Sequence, residues 1–159
     1  MKKRLGTTAV IMVAAILIGT FITAKCATAG ETGKDGRFIA HDNGTVLDTS
    51  TNLMWAAKDN GSDINWTNAK SYCRNYRAGG YTDWRMPTQT ELAGLYDGSI
   101  KGHNGYKLTT LITLTACCPW TSDVIRSNAI CVNFINEGRR LTPQSTASGA
   151  RALPVRSGK

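Results

Sequence analysis

The apolar positions along the chain change period several times, and each change marks an element. An apolar run over residues 5–24, broken only by Gly and Thr, follows the basic cluster Met1-Lys2-Lys3-Arg4 and precedes Ala27-Thr28-Ala29. That order of charge, apolar stretch and small-x-small site predicts a secretory signal peptide over residues 1–29, cleaved after Ala29. The rival is a retained anchor, because about twenty apolar residues cross a bilayer, but the small residues at the cleavage positions favour removal. Lys25 stands where lipid attachment to Cys26 requires a small residue.

Residues 30–36 are small and polar and are expected to form a flexible leader. Beyond them, residues 37–41 and 45–48 flank Asp42-Asn43-Gly44, and Asn-Gly supplies the positive φ angles of a tight hairpin turn. A further turn over 49–52 leads into a third short strand over 53–56. From Asn65 the period lengthens: Trp66, Ala69, Cys73 and Tyr76 recur at three and four residues, which predicts a helix capped by Asn65 and ended by Gly79-Gly80. Its apolar face belongs on the sheet, so Trp66 and Tyr76 are assigned to the core ahead of any ligand-stacking role.

Residues 81–87 must be extended near their end, since the residue before Pro87 avoids the helical region. Thr88-Gln89-Thr90-Glu91 is then a capping box that opens a second helix, with Leu92, Leu95 and Tyr96 on its apolar face and a stop at Asp97-Gly98. The cap accounts for Glu91 without acid catalysis. Residues 97–116 lack a clean period and carry Gly98, Gly102 and Gly105, so a long irregular excursion is expected, with a short strand near 111–114. Paired strands are expected over 118–122 and 129–135 around a turn near 124–127, then a turn over 136–140. A final strand over 150–156 is placed at an edge or bulge by Pro154.

The 159 residues, 42% hydrophobic and 19% charged, fit one globular domain and exclude a collagen, a coiled coil or a disordered polymer. The formal net charge of +8 includes Lys2, Lys3, Arg4 and Lys25 of the leader. Without them 15 basic residues face 11 acidic ones, a net charge of +4. That charge favours polyanions yet falls short of a nucleic-acid footprint, and no nucleic-acid partner is expected.

Cleavage also removes Cys26 and leaves Cys73, Cys117, Cys118 and Cys131, an even set suited to disulfides outside the cytosol. Adjacent cysteines rarely bond each other. With Cys117 and Cys118 pointing opposite ways on a strand, one is expected to reach Cys131 across a hairpin and the other Cys73 on the helix. Zinc is disfavoured, because no C-x-x-C pair exists and His41 and His103 lie far off in sequence. Asp59-Asn60-Gly61-Ser62-Asp63 lacks the glutamate and spacing of a calcium loop and reads as a turn. No metal or cofactor is expected.

Four blocks together carry a family resemblance: Asp42-Asn43-Gly44-Thr45-Val46-Leu47-Asp48 with Asn52-Leu53-Met54-Trp55; Trp66-Thr67-Asn68-Ala69 with Tyr72-Cys73; Asp83-Trp84-Arg85-Met86-Pro87-Thr88 with Glu91-Leu92; and Trp120-Thr121-Ser122. In order and spacing they resemble the Lcl C-terminal domain family of bacterial secreted modules, over residues 37–156. Met86 stands where Leu is usual, and Leu153-Pro154-Val155-Arg156 replaces a cysteine-bearing end. The resemblance implies an α+β, C-type lectin-like fold related to formylglycine-generating enzymes, with two helices on a twisted, mostly antiparallel sheet and long loops.

The expected function is a non-enzymatic binding module, secreted, periplasmic or at the cell surface, of adhesin type. It would take a glycan or anionic polysaccharide, or an envelope protein, on loops 97–116 and 121–128. Trp120, Asp123, Arg126, Asn128, Arg139 and Arg140 are the candidate ligand contacts, guanidinium forks suiting sulfate or carboxylate and Trp and Asn suiting sugars. No catalytic residue is assigned. The alternatives are a self-associating structural subunit of an envelope assembly and an oxidase of the formylglycine-generating type. The oxidase needs a copper-binding thiol pair that adjacent Cys117 and Cys118 suit poorly.

Overall fold

The computed structural model describes residues 29–158, so residues 1–28 of the expected signal peptide lie outside the described residues. Strands β1 (Glu31–Asp35), β2 (Phe38–His41), β3 (Thr45–Asp48) and β4 (Leu53–Ala56) form an antiparallel meander. Helices α1 (Trp66–Asn75) and α2 (Gln89–Ala93) follow. Then come β5 (Cys118–Ile125), β6 (Asn128–Asn133), β7 (Gly138–Pro143), β8 (Ala150–Arg151) and β9 (Val155–Ser157). The class is α+β as expected, but the strands divide into two sheets, ordered β1-β2-β3-β4-β9 and β7-β6-β5-β8.

Local chemistry explains the elements that came out as expected. Gly44 sits at φ 78° in the first hairpin, and the Thr45 hydroxyl donates to Asn43 Oδ1 at 2.8 Å. The Asn65 side chain accepts from Asn68 N at the start of α1. At α2 the Thr88 hydroxyl accepts from Glu91 N at 3.2 Å, and Glu91 Oε2 accepts from Thr88 N at 2.8 Å, so two free amides of the helix start are satisfied. Both helices end early: α1 stops at Tyr76 before Gly79-Gly80, and α2 stops at Gly94 before Asp97-Gly98.

Three expectations fail for non-local reasons. Residues 31–35 are not a leader but the edge strand β1, paired with β2 from Glu31↔His41 to Asp35↔Phe38. Main-chain pairing needs no apolar side chains, and a polar, exposed strand suits a sheet edge. The single final strand is instead two. β8 runs parallel to β5, and the chain crosses through Ala152, Leu153 and Pro154 to add β9 beside β4 in the other sheet. The strand near 111–114 does not form either. Leu108, Ile112 and Leu114 drop singly from irregular backbone into full burial, which leaves no period to read.

The core has two clusters, and β6 feeds both. Val132 joins Val46, Trp55, Leu92 and Phe134 in the larger one, whereas Cys131 joins Ala69, Cys73, Met86 and Trp120 beneath α1. Successive strand residues face opposite sides, so one strand divides the interior.

The Asp83-to-Glu91 segment ties these parts together. Arg85 and Val155 exchange backbone hydrogen bonds at 2.9 and 3.0 Å, and Ser122 N donates to Pro87 O at 2.7 Å. Asp83 receives both Nε and Nη2 of the buried Arg156, whose guanidinium also lies 3.8 Å from the Tyr81 ring centroid. Arg85 holds Glu91 with two hydrogen bonds at 2.8 and 2.6 Å.

The Arg85 guanidinium is the main cause that keeps the Glu91 carboxyl below its ordinary range, with the Thr88 amide assisting. A depressed carboxyl contributes stability that is complete above its unfolded pKa and is lost as pH falls through the folded value. Urea unfolding should therefore show native stability declining below about pH 4.3. Glu91→Gln, which retains the cap, should weaken that decline. Glu91→Ala should cost about 1–2 kcal/mol at pH 7.

Candidate functional site

The six residues expected to contact ligand are distributed over β5, the β5–β6 turn, β6 and β7. Trp120 is 0% exposed and its indole N–H donates to Ile64 O at 2.7 Å, which makes it a core residue. Asp123 accepts from Gln89 N at the start of α2. Arg126, at φ 56°, turns the β5–β6 hairpin, and Asn128 opens β6 half-buried. Arg139 and Arg140 are not in a turn but in strand β7, opposite Val132 and Cys131 respectively. As strand neighbours they project to opposite faces and cannot grip one anion together. Loop 97–116 is likewise partly core: Leu108, Ile112 and Leu114 are buried and not available to a ligand, whereas Ile100, Tyr106 and Leu111 are half-buried.

The sulfurs also pair otherwise than expected. Cys117 and Cys118 are bonded to each other, and Cys73 and Cys131 are free and buried. The expected divergence needed both neighbours to lie in a strand. β5 begins at Cys118, so strand alternation does not separate Cys117 from it. Burial pushes the Cys73 thiol up to about 12 and raises that of Cys131, so both are protonated and unreactive at neutral pH. The joined pair is not the thiolate pair that the oxidase reading requires.

The acidic turn at 59–63 carries its own cation. Arg151 reaches Asp63 and lies 3.9 Å from Asp59, whose carboxylate also accepts from Thr115 N and Oγ1. Among the described residues no group of three or more His, Cys, Asp or Glu is placed to hold a metal ion.

A different surface gathers unspent chemistry. Trp66, Lys70 and Arg74 fall at i, i+4 and i+8 on α1 and form one stripe. The Trp66 indole donates to Thr121 O at 2.8 Å, which fixes the ring while leaving it half-exposed. Lys70 Nζ stands 5.0 Å from the ring centroid, a cation–π contact worth about 0.5–1 kcal/mol at an exposed site.

Two hollows of about 440 and 460 Å³ meet here and share Lys70 and Arg74. The first is completed by Trp66, Thr67, Ser71 and Asn75, the second by Arg85, Met86, Thr88 and Ser122. Neither is lined by a carboxylate. Lys70 and Arg74 form no ion pair among the described residues, whereas Arg85 is matched by Glu91. Two like charges one turn apart cost a helix a few tenths of a kcal/mol, roughly what one i,i+4 pair contributes. The trough therefore offers an ammonium, a free guanidinium, hydroxyls and an aromatic face.

The signal was present in the sequence as the Trp66, Lys70, Arg74 spacing, but the helix pattern was read for its buried face. A third hollow of about 450 Å³ includes Arg139, with Gln89, Asn136 and Glu137. The acid beside that arginine makes it a poorer seat for an anion.

The molecule is a mixed α+β domain in which the polar side chains of the motif segment pair with other parts of the chain, and in which Lys70 and Arg74 stand without ion pairs among the described residues on one helix. The chain belongs to the Lcl C-terminal domain family, whose model matches residues 44–156. No curated protein matches it.

Thiol labelling checks the sulfur arrangement. Among Cys73, Cys117, Cys118 and Cys131, peptide mass spectrometry should find Cys117 and Cys118 protected until reduction. Cys73 and Cys131 should be unmodified by a maleimide in the native state and fully modified in denaturant.

Proposed function

We propose that this chain is a non-catalytic binding module of the cell envelope or exterior, built on a C-type lectin-like scaffold, which takes an anionic polysaccharide along α1. The single observation that supports this reading is the trough over α1, where Lys70 and Arg74 stand unpaired beside an aromatic ring and several hydroxyls, with no lining carboxylate. A polyanion brings the partners that these cations lack, and its sugar units bring hydroxyls for Thr67, Ser71, Thr88 and Ser122. Guanidinium and ammonium groups attract sulfate or carboxylate at long range, so binding weakens as salt rises.

The expected contrast is between two sets of variants, read by affinity electrophoresis against dextran sulfate. Lys70→Ala with Arg74→Ala should abolish retardation. Arg126→Ala with Arg139→Ala and Arg140→Ala should leave most of it, because none of the three lines the trough. Equal loss in both sets, or none in either, rejects the placement.

One feature favours a second reading, a self-associating structural subunit. Ile125 and Leu141 are 51% and 54% exposed, and the registers Ile125↔Asn128↔Pro143 and Ile130↔Leu141 place them on one sheet face. Sedimentation over a hundredfold range of concentration tests it: a constant monomer mass removes the subunit reading.

A further inference from the structure

Lys70 is drawn in two directions. Its ammonium lies over the Trp66 ring, and it also lines both hollows of the trough. The ring cannot swing away to make room, since its indole N–H is tied to Thr121 O at 2.8 Å on β5. The lysine stem is flexible and unpaired. A saccharide that is to stack on the ring face under Lys70 must therefore displace the lysine, and a neutral sugar gives the ammonium only uncharged hydroxyl acceptors in return. An anionic group beside the sugar does, because it pairs with the ammonium as the ring face is vacated.

We infer that Lys70 is a charged cover on the Trp66 ring, so that stacking at this site favours saccharides bearing an anionic group over neutral ones. The inference rests on the polysaccharide reading above and adds to it the basis of selection. Lys70 thus couples aromatic recognition to charge recognition. Arg74, one turn further along α1, makes no ring contact and contributes attraction alone.

Calorimetric titration with cellohexaose and with sulfated cellohexaose tests the cover. The native chain should bind the sulfated sugar more tightly than the neutral one. Lys70→Gln should weaken the sulfated sugar and bind cellohexaose about two- to fivefold more tightly than the native chain, the range expected from releasing one such contact. Adding Trp66→Leu should remove that gain, whereas adding Trp66→Phe, which keeps a ring and guards against misfolding of the Leu variant, should retain it. No gain in Lys70→Gln, while the native chain binds the sulfated sugar, overturns the cover and leaves the polysaccharide reading standing. A gain in Lys70→Gln with no native binding of the sulfated sugar shows Lys70 masking the ring but overturns selection by an anionic group, and with it the polyanion reading. Native affinity for cellohexaose equal to that of Lys70→Gln, or binding of neither sugar by any form, also overturns the cover.

Discussion

Arg156 is buried beside Met54, where Asp83 meets its guanidinium with both oxygens and Tyr81 offers its ring face. Removing the carboxylate would leave a buried guanidinium without its charged partner, which destabilises the fold. That constraint fixes where the Asp83-to-Glu91 segment must run, and the rest follows from its course. Two residues on, the Arg85 backbone pairs with Val155, which anchors β9 beside the segment. The Arg85 side chain grips Glu91, which caps α2. Pro87 then accepts from Ser122 on β5, so both sheets are linked to one short extended stretch.

This explains why the most recognisable motif in the chain says so little about ligand. In Asp83-Trp84-Arg85-Met86-Pro87-Thr88 with Glu91, the polar side chains are engaged with other parts of the chain: Asp83 with Arg156, Arg85 with Glu91, Thr88 and Glu91 with each other's amides. Trp84 gives its indole N–H to Ala78 O and meets Tyr76 edge-on at 5.1 Å. Residues that identify the family are thus residues that hold the fold. Binding chemistry has to be sought among side chains that the motif leaves free, and Lys70 and Arg74 are two of these.

Legibility in the sequence followed the range of the interaction. The Asn43-Gly44 turn, the Asn65 cap and the Thr88–Glu91 box are contacts within about four residues, and each was readable because its partners are neighbours in the chain. β1 was not, since its polar residues are held by main-chain pairing to β2 and carry no pattern of their own. Neither was the passage at Leu153 and Pro154 from one sheet to the other, which depends on what lies across the core. The vicinal sulfur pair escaped because its backbone precedes the strand that was expected to separate the two side chains. Arg139 and Arg140 looked like one cationic pair until strand β7 sent them to opposite faces. Trp66 shows the remaining difficulty: its spacing with Ala69 and Cys73 marks a buried face, and its spacing with Lys70 and Arg74 marks an open one. Only tertiary packing decides how much of the ring each receives.

Stability and binding draw on separate charges in this molecule, although they meet at one place. Arg85 lines the trough, yet two of its nitrogens are engaged by Glu91, so it adds shape and a partial donor surface more than net charge. The net positive charge of the trough comes from Lys70 and Arg74, and neither is tied to a carboxylate among the described residues. Removing them relieves a like-charge repulsion on α1 and breaks no salt bridge, whereas removing Glu91 disturbs the fold and leaves an uncompensated guanidinium in the trough. A change that strengthens anion attraction can therefore weaken the domain. The Arg85–Glu91 pair is where those two requirements oppose each other, because its carboxylate is needed by the helix cap and repelled by the ligand.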